Sequence, residues 1–354
     1  MKDATLFGYL LVFLAAVTWG TSGLFFRGLN SAGIGPLSAV FWRSGLMAVV
    51  CFCVWMLVLW SGRRNGKRTE VPSEIPVFPN TRNILRFALL GFINIVPVQY
   101  LFAYSVLLTS VAVAVTLQYT APFFVTVLSR LVYKEPITPL KMAGLVISVS
   151  GLALAVGLVD LLSGGASSVS PLAIAVGLTS GFFYGLYTLL LKGSSTEHHP
   201  IYLTMWVMTF GALSASIVAL VGGEGIRVPS GPAPWGLVVL LSLLPGVLGF
   251  CLYTAGLARV ESSRASIIAT VEPVAAGFFA FLFWGEMVSV TQAVGMVMVI
   301  AGVISVGLDG KLKRNFVPSC VYAEQKADAY KVGHHRATSI AHEGQGQPGH
   351  GHKA

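Results

Sequence analysis

ATVEPVAAGFF, residues 269–279, sets a glutamate and then a proline inside an otherwise apolar run. A carboxylate surrounded by hydrocarbon costs a few kcal/mol or more. A proline within a helix removes the N–H that would bond the carbonyl four residues earlier, here that of Ala269. Lipid can repair neither defect, so such a run must border protein or a watery space. Glu272 and Pro273 therefore predict a membrane helix with a polar interior beside it.

The composition agrees. Of 354 residues, 55% are hydrophobic and only 10% charged, against about 25% charged in an ordinary soluble domain. The mean hydropathy is +0.77. The 39 glycines suit closely packed membrane helices. The net charge of +9 does not indicate nucleic acid, because the basic residues lie between apolar runs and form no single patch. Cys51 and Cys53 share one apolar run, Cys251 lies in another and Cys320 in a polar tail, so no disulfide frame or zinc site is expected. The first apolar run lacks a small-residue cleavage site and carries Trp19, which reads as a retained helix and not a signal peptide.

Ten runs are long and apolar enough to cross a bilayer: 7–26, 36–60, 84–107, 110–131, 140–159, 171–191, 201–221, 235–257, 264–283 and 289–308. If the N-terminus is cytoplasmic, sixteen basic residues fall on the inner side, whereas only Arg27 and Arg227 fall outside. That bias predicts both termini inside. From about Lys311 the chain turns polar and carries five of its seven histidines, which reads as a disordered cytoplasmic tail, 311–354.

The two halves repeat. At an offset of 151, Pro122 matches Pro273, Glu135 matches Glu286, Gly144 matches Gly295 and Gly151 matches Gly302, without a gap. At an offset of 165, WGTSGLFFRG aligns with YGLYTLLLKG, matching Trp19 with Tyr184 and Gly20 with Gly185. Five spans per copy is an odd number, so the second copy enters from the opposite side. The expected fold is an all-α integral membrane protein with two inverted five-helix repeats, 1–160 and 161–310, around a central cavity.

Matched interruptions in such repeats point to a transport site. Pro122 and Pro273 should break helices 4 and 9 near their middles, with Pro97 and Pro245 repeating the pattern in helices 3 and 8 three residues out of register. Glu272 lies about 12 Å into helix 9 and Arg43 about 10 Å into helix 2, at 1.5 Å per residue. Those depths allow the two side chains to pair, or both to line a central cavity. Gln99, Gln118, Tyr119, Trp19, Tyr184 and Tyr253 would complete an apolar pocket with a few orienting hydrogen bonds. Glu135 and Glu286 end helices 4 and 9, and each should cap the helix that follows.

The stretches LQYTAPFFVTVLSRLVYKEPIT and ASIIATVEPVAAGFFAFLFWGEMVS, with AAVTWGTSGLFFRG before them, resemble EamA-type transporters of the drug/metabolite transporter superfamily. The resemblance covers roughly residues 7 to 308. It implies ten spans in two inverted repeats, bacterial inner-membrane location and, commonly, export of amino acids or other small metabolites. It places the family's proline stretches on Pro122 and Pro273, its helix-end acids on Glu135 and Glu286, and its basic residue early in helix 2 on Arg43.

The expected function is a secondary transporter with a small-molecule substrate, either coupled to proton movement through Glu272 or a passive facilitator, with no cofactor or metal. Two other classes compete. A membrane enzyme would need a convergent catalytic set, for which His198 and His199 in STEHHP offer the one histidine pair outside the tail. A sensor would signal through its tail. No phosphate-binding glycine motif points to an ATP-driven pump.

Overall fold

A computed structural model of the chain describes residues 2–65, 78–108, 111–156, 158, 170–223, 225–285 and 289–316. Glu286, most of the 61–83 loop and the histidine-rich tail lie outside the described residues. The chain through Gly307 forms one compact unit; a second unit begins at Leu308 and is described to Phe316, where it is helical.

The described residues are helical, with no strand among them. Among the described residues nine helices are long and apolar enough to cross a membrane: α1 Ala4–Ser31, α2 Pro36–Ser61, α3 Thr81–Ser105, α4 Val113–Val132, α6 Pro171–Ser195, α7 Pro200–Gly222, α8 Pro232–Leu257, α9 Ser262–Phe283 and α10 Val290–Asp309. The shorter apolar helix α5, Pro139–Ala155, makes the tenth. Proline opens α2, α5, α6, α7 and α8, where its missing N–H is unpaired in any case.

Polar contacts sort the helix ends onto two faces. On the face of the N-terminus, Arg86 at the start of α3 pairs with Glu197 after α6 at 2.7 Å. There too Lys192, near the end of α6, donates to the carbonyls of Leu257 and Val260 at 2.6 and 2.8 Å, closing the end of α8. On the far face the Arg227 amide donates to Ser38 Oγ, its guanidinium donates to the Gly33 carbonyl, and Trp42 Nε1 donates to the Arg227 carbonyl. The helices therefore alternate in direction.

The repeat is visible as contacts. A Cβ on Gly144 would meet the Gly302 carbonyl at 2.9 Å, and one on Gly151 would meet the Gly295 carbonyl at 2.8 Å. Since Gly295 is the match of Gly144 and Gly302 that of Gly151, each glycine touches the partner of the other. That crossing is what an in-plane two-fold axis between α5 and α10 requires. The same relation holds further out. Gly20 of α1 faces Glu272, Ala275 and Ala276 of α9, while Gly185 of α6 faces Ala121, Phe124 and Val125 of α4. The three α4 positions plus 151 give the three α9 positions. At Gly20, Gly144, Gly151, Gly295 and Gly302 a side chain larger than hydrogen would part these helices, while Gly185 leaves slightly more room, so glycine sets the depth at which each repeat grips the other.

Among the described residues three spans are interrupted well inside their length. α4 breaks between Gln118 and Ala121, α9 at Thr270 between Ala269 and Val271, and α1 at Thr21 between Gly20 and Ser22. Each break is made by a threonine. The N–H and Oγ1 of Thr120 both go to the Leu117 carbonyl, those of Thr270 to Ile267, and those of Thr21 to Thr18. The tighter bond to the third residue back ends the α ladder, and the hydroxyl doubles it where no water is at hand. The breaks expected at Pro122 and Pro273 thus lie two to three residues before the prolines, which stand in the first turn of the next segment. The α1 break has no proline to announce it.

Pro97 and Pro245 do not break their helices. Each is the fourth residue of a seven-residue π-helical stretch, Asn94–Tyr100 in α3 and Ser242–Leu248 in α8. The wider turn accommodates a residue without an N–H. The two stretches match at an offset of 148, so the apparent slip of three residues lies in the connections and not in the helices.

Candidate functional site

Around the breaks, side chains from six spans converge. Trp19 is the second residue before the α1 break; its ring lies 4.8 Å from Tyr253 and 5.3 Å from Phe250 of α8. Arg43 reaches in from α2, only 7% exposed, with its guanidinium 5.4 Å from the Phe250 ring centre and within electrostatic reach of Glu272 and Tyr187. Tyr119, immediately before the α4 hinge residue, donates its hydroxyl to Glu272 Oε2 at 2.6 Å and meets the Tyr184 ring edge-on at 6.2 Å. Tyr253 and Thr188 hydroxyls lie 3.4 Å apart. Six expected site residues, Trp19, Arg43, Tyr119, Tyr184, Tyr253 and Glu272, thus belong to one constellation.

Arg43 and Glu272 do not form an ion pair: among the described residues the pairs are Arg86–Glu197, Lys141–Glu261 and Arg264–Glu261. Glu272 is bonded instead to a neutral hydroxyl, and Arg43 rests on an aromatic face, a favourable seat for a cation. The site therefore brings a basic and an acidic group within reach of each other without an ion pair between them. An aromatic wall with one cation and one acid suits a small amphipathic molecule with charged ends.

Gln99 and Gln118 bond groups next to the constellation. Gln118 Nε2 donates to the Val98 carbonyl at 3.3 Å and to Ser180 Oγ at 3.0 Å, and Ser180 Oγ donates to the same carbonyl at 2.9 Å. Gln99 donates to Asn94 Oδ1 at 3.1 Å across the π-helical stretch. Glu135 corrects a second expectation. It caps a helix, but that helix is α9 of the other repeat: Oε1 accepts from the Ser262 amide at 2.7 Å, and Oε2 from the Ser263 amide and hydroxyl. The helix that follows Glu135, α5, is capped by Thr138.

One polar cluster is new. On the N-terminal face Lys141, 1% exposed, donates to Glu261 Oε2, Ser263 Oγ and the Pro136 carbonyl at 2.7, 2.9 and 2.8 Å. Arg264 bonds the same Glu261 oxygen and also Tyr9 and the Val306 carbonyl. Burial alone would raise the Glu261 carboxyl, but the Arg264 and Lys141 charges beside it outweigh burial and hold it below the usual range. In the sequence Lys141 and Arg264 stand out only as two of the sixteen inner-side basic residues. Glu-Ser-Ser-Arg opening α9 was the signal for a buried cap.

His198 and His199 are engaged by the fold. His199 accepts from the Ile201 amide at the start of α7, while His198 bonds the Ser194 carbonyl and Asn83. Among the described residues no group of three or more potential metal ligands occurs.

The chain is similar to known proteins in sequence and in fold. The profile of the EamA-like transporter family matches residues 6–157 and again 171–308. A protein of Archaeoglobus fulgidus named an uncharacterized transporter is 28% identical over 300 residues, covering 84% of this chain and 95% of that one. The transporter YyaM of Bacillus subtilis is 23% identical over 76% of this chain and 84% of its own. The inner membrane transporter YicL of Salmonella typhimurium is 23% identical over 86% of this chain and 96% of its own. A solved crystal structure superposes with a TM-score of 0.66 at 17% identity, covering 87% of this chain and 97% of the other, which is a likeness of fold.

Proposed function

The chain belongs to the EamA-like transporter family, and we propose that it is a secondary transporter exporting amino acids or related amphipathic metabolites. On this reading it works by alternating access in the bacterial inner membrane, with both termini cytoplasmic. One observation carries it: three interrupted spans, α1 of one repeat, α4 of the same repeat and α9 of the other, turn Trp19, Tyr119 and Glu272 toward a shared site with Arg43. Hinges at mid-membrane let half-helices pivot while the site stays fixed. The guanidinium suits a carboxylate and Glu272 suits an ammonium group, the two ends of an amino acid, while the aromatic rings receive its side chain. The inner membrane is supported by the printed name of YicL, and the orientation by the bias of sixteen basic residues against two.

Efflux from proteoliposomes loaded with a panel of radiolabelled amino acids, aromatic ones included, tests this. Saturable efflux of at least one of them is expected; uniform retention of the whole panel would refute it. Collapsing a pH gradient during efflux separates proton coupling through Glu272, in which the rate falls, from facilitated diffusion, in which it does not.

A further inference from the structure

We propose that Tyr119 positions Glu272, and that their hydrogen bond joins the hinge of α4 to the hinge of α9 so that the two repeats switch together. The proposal rests on the transport reading above. Tyr119 immediately precedes hinge residue Thr120, and Glu272 follows hinge residue Thr270 by two; their 2.6 Å bond runs from one repeat to the other at the level of both breaks. The bond is not part of the shared scaffold. At the offset of 151 Tyr119 corresponds to Thr270 and Glu272 to Ala121. The mirror-image contact would join Thr270 to Ala121, which cannot make it. Nor do the hinges need it, because each threonine already satisfies its own break.

The tyrosine is built to aim its hydroxyl. Its ring is 4% exposed, packed with Leu152 and Val299 and edge-on to Tyr184. Glu272 is less enclosed and stands in the first turn of the segment beyond the hinge. Either hinge turning alone would part the two groups. A cationic group of the cargo arriving at the other carboxylate oxygen of Glu272 leaves the link in place, so binding beside one hinge is felt at both, which is how binding energy reaches a conformational equilibrium.

The test compares Tyr119→Phe, Glu272→Gln and the double variant in proteoliposomes with the same amino acid panel, alongside Tyr133→Phe. The last removes a hydroxyl bonded to the Leu189 carbonyl at the far end of the same helix, outside the site. A hydrogen bond to a charged group shifts an equilibrium by about tenfold or more. Tyr119→Phe should therefore lower kcat for efflux by about tenfold while KM stays within about twofold. The double variant should fall no further than Glu272→Gln alone, since the two residues act through one bond, and Tyr133→Phe should keep its turnover. Wild-type turnover in Tyr119→Phe, or losses that multiply in the double variant, would overturn the link while leaving the transport reading intact. A wild-type protein that moves none of the panel would remove the transport reading and the link with it.

Discussion

Arg43 and Glu272 reach one site, Arg43 against the Phe250 ring and Glu272 on the Tyr119 hydroxyl, with no ion pair between them. Arg43→Ala and Glu272→Gln should each reduce efflux by about tenfold or more, the scale of one lost charge-assisted contact. Proteoliposome efflux at matched protein content checks this; wild-type rates in both variants would take the pair out of the mechanism. Both residues were legible in the sequence because a charge in an apolar run is costly enough to need a reason. The partner of Glu272 was not. Counting residues from a helix end gives depth, and depth left Arg43 either as its partner or as a fellow lining residue of one cavity. Which face of α9 the carboxylate occupies is set by packing, and packing turned it to Tyr119. Gln99 and Gln118 show the same limit from the other side: polar residues in a span were expected in the pocket, and their amides satisfy neighbouring backbone and side-chain groups instead.

At the scale of helices, the ten spans were readable almost to their ends, since hydrocarbon thickness fixes the length of a crossing run. The breaks were harder to place. Proline signalled two of the three, but the threonine before each proline makes the turn, and Thr21 makes one with no proline near it. Threonine, serine and glycine in succession, as in WGTSG, favour such an interruption because their side chains compete for backbone groups or lend the helix little. The glycine contacts give a graded prediction. A methyl at Gly20 would stand 2.9 Å from the Ala276 nitrogen and 3.0 Å from the Glu272 carbonyl, backbone that cannot yield alone. At Gly185 the nearest atoms are 3.2 to 3.4 Å away. Gly20→Ala should therefore lower the melting temperature of the purified protein and its transport, with a cost of about 1–3 kcal/mol for overpacking. Gly185→Ala, whose neighbours need give by only a few tenths of an ångström, should cost clearly less. Equal losses at both positions would contradict the packing described.

At the scale of the molecule, two antiparallel copies grip each other through α5 and α10 and again through α1 on α9 and α6 on α4. The odd span count made inversion legible, but the joints between copies were not, because no local pattern says that Glu135 of one repeat closes α9 of the other. The joint on the N-terminal face has a pH signature. Glu261 is held ionised below its ordinary range by Arg264 and Lys141. A depressed carboxyl contributes stability above its unfolded value and loses it as the pH falls through the folded one. Thermal stability of the detergent-purified protein should accordingly drop as the pH falls below about 4.3, and Glu261→Gln should be less stable near neutrality and flatter through that range. The central claim is that the broken spans border a polar space between the repeats and not lipid. Glu272→Cys, in protein with its four native cysteines replaced, tests it most directly. A membrane-impermeant thiol reagent should modify position 272, and should leave unmodified a cysteine placed at the exposed apolar residue Leu282 in the same helix. An unreactive position 272, sealed as completely as position 282, would contradict the account.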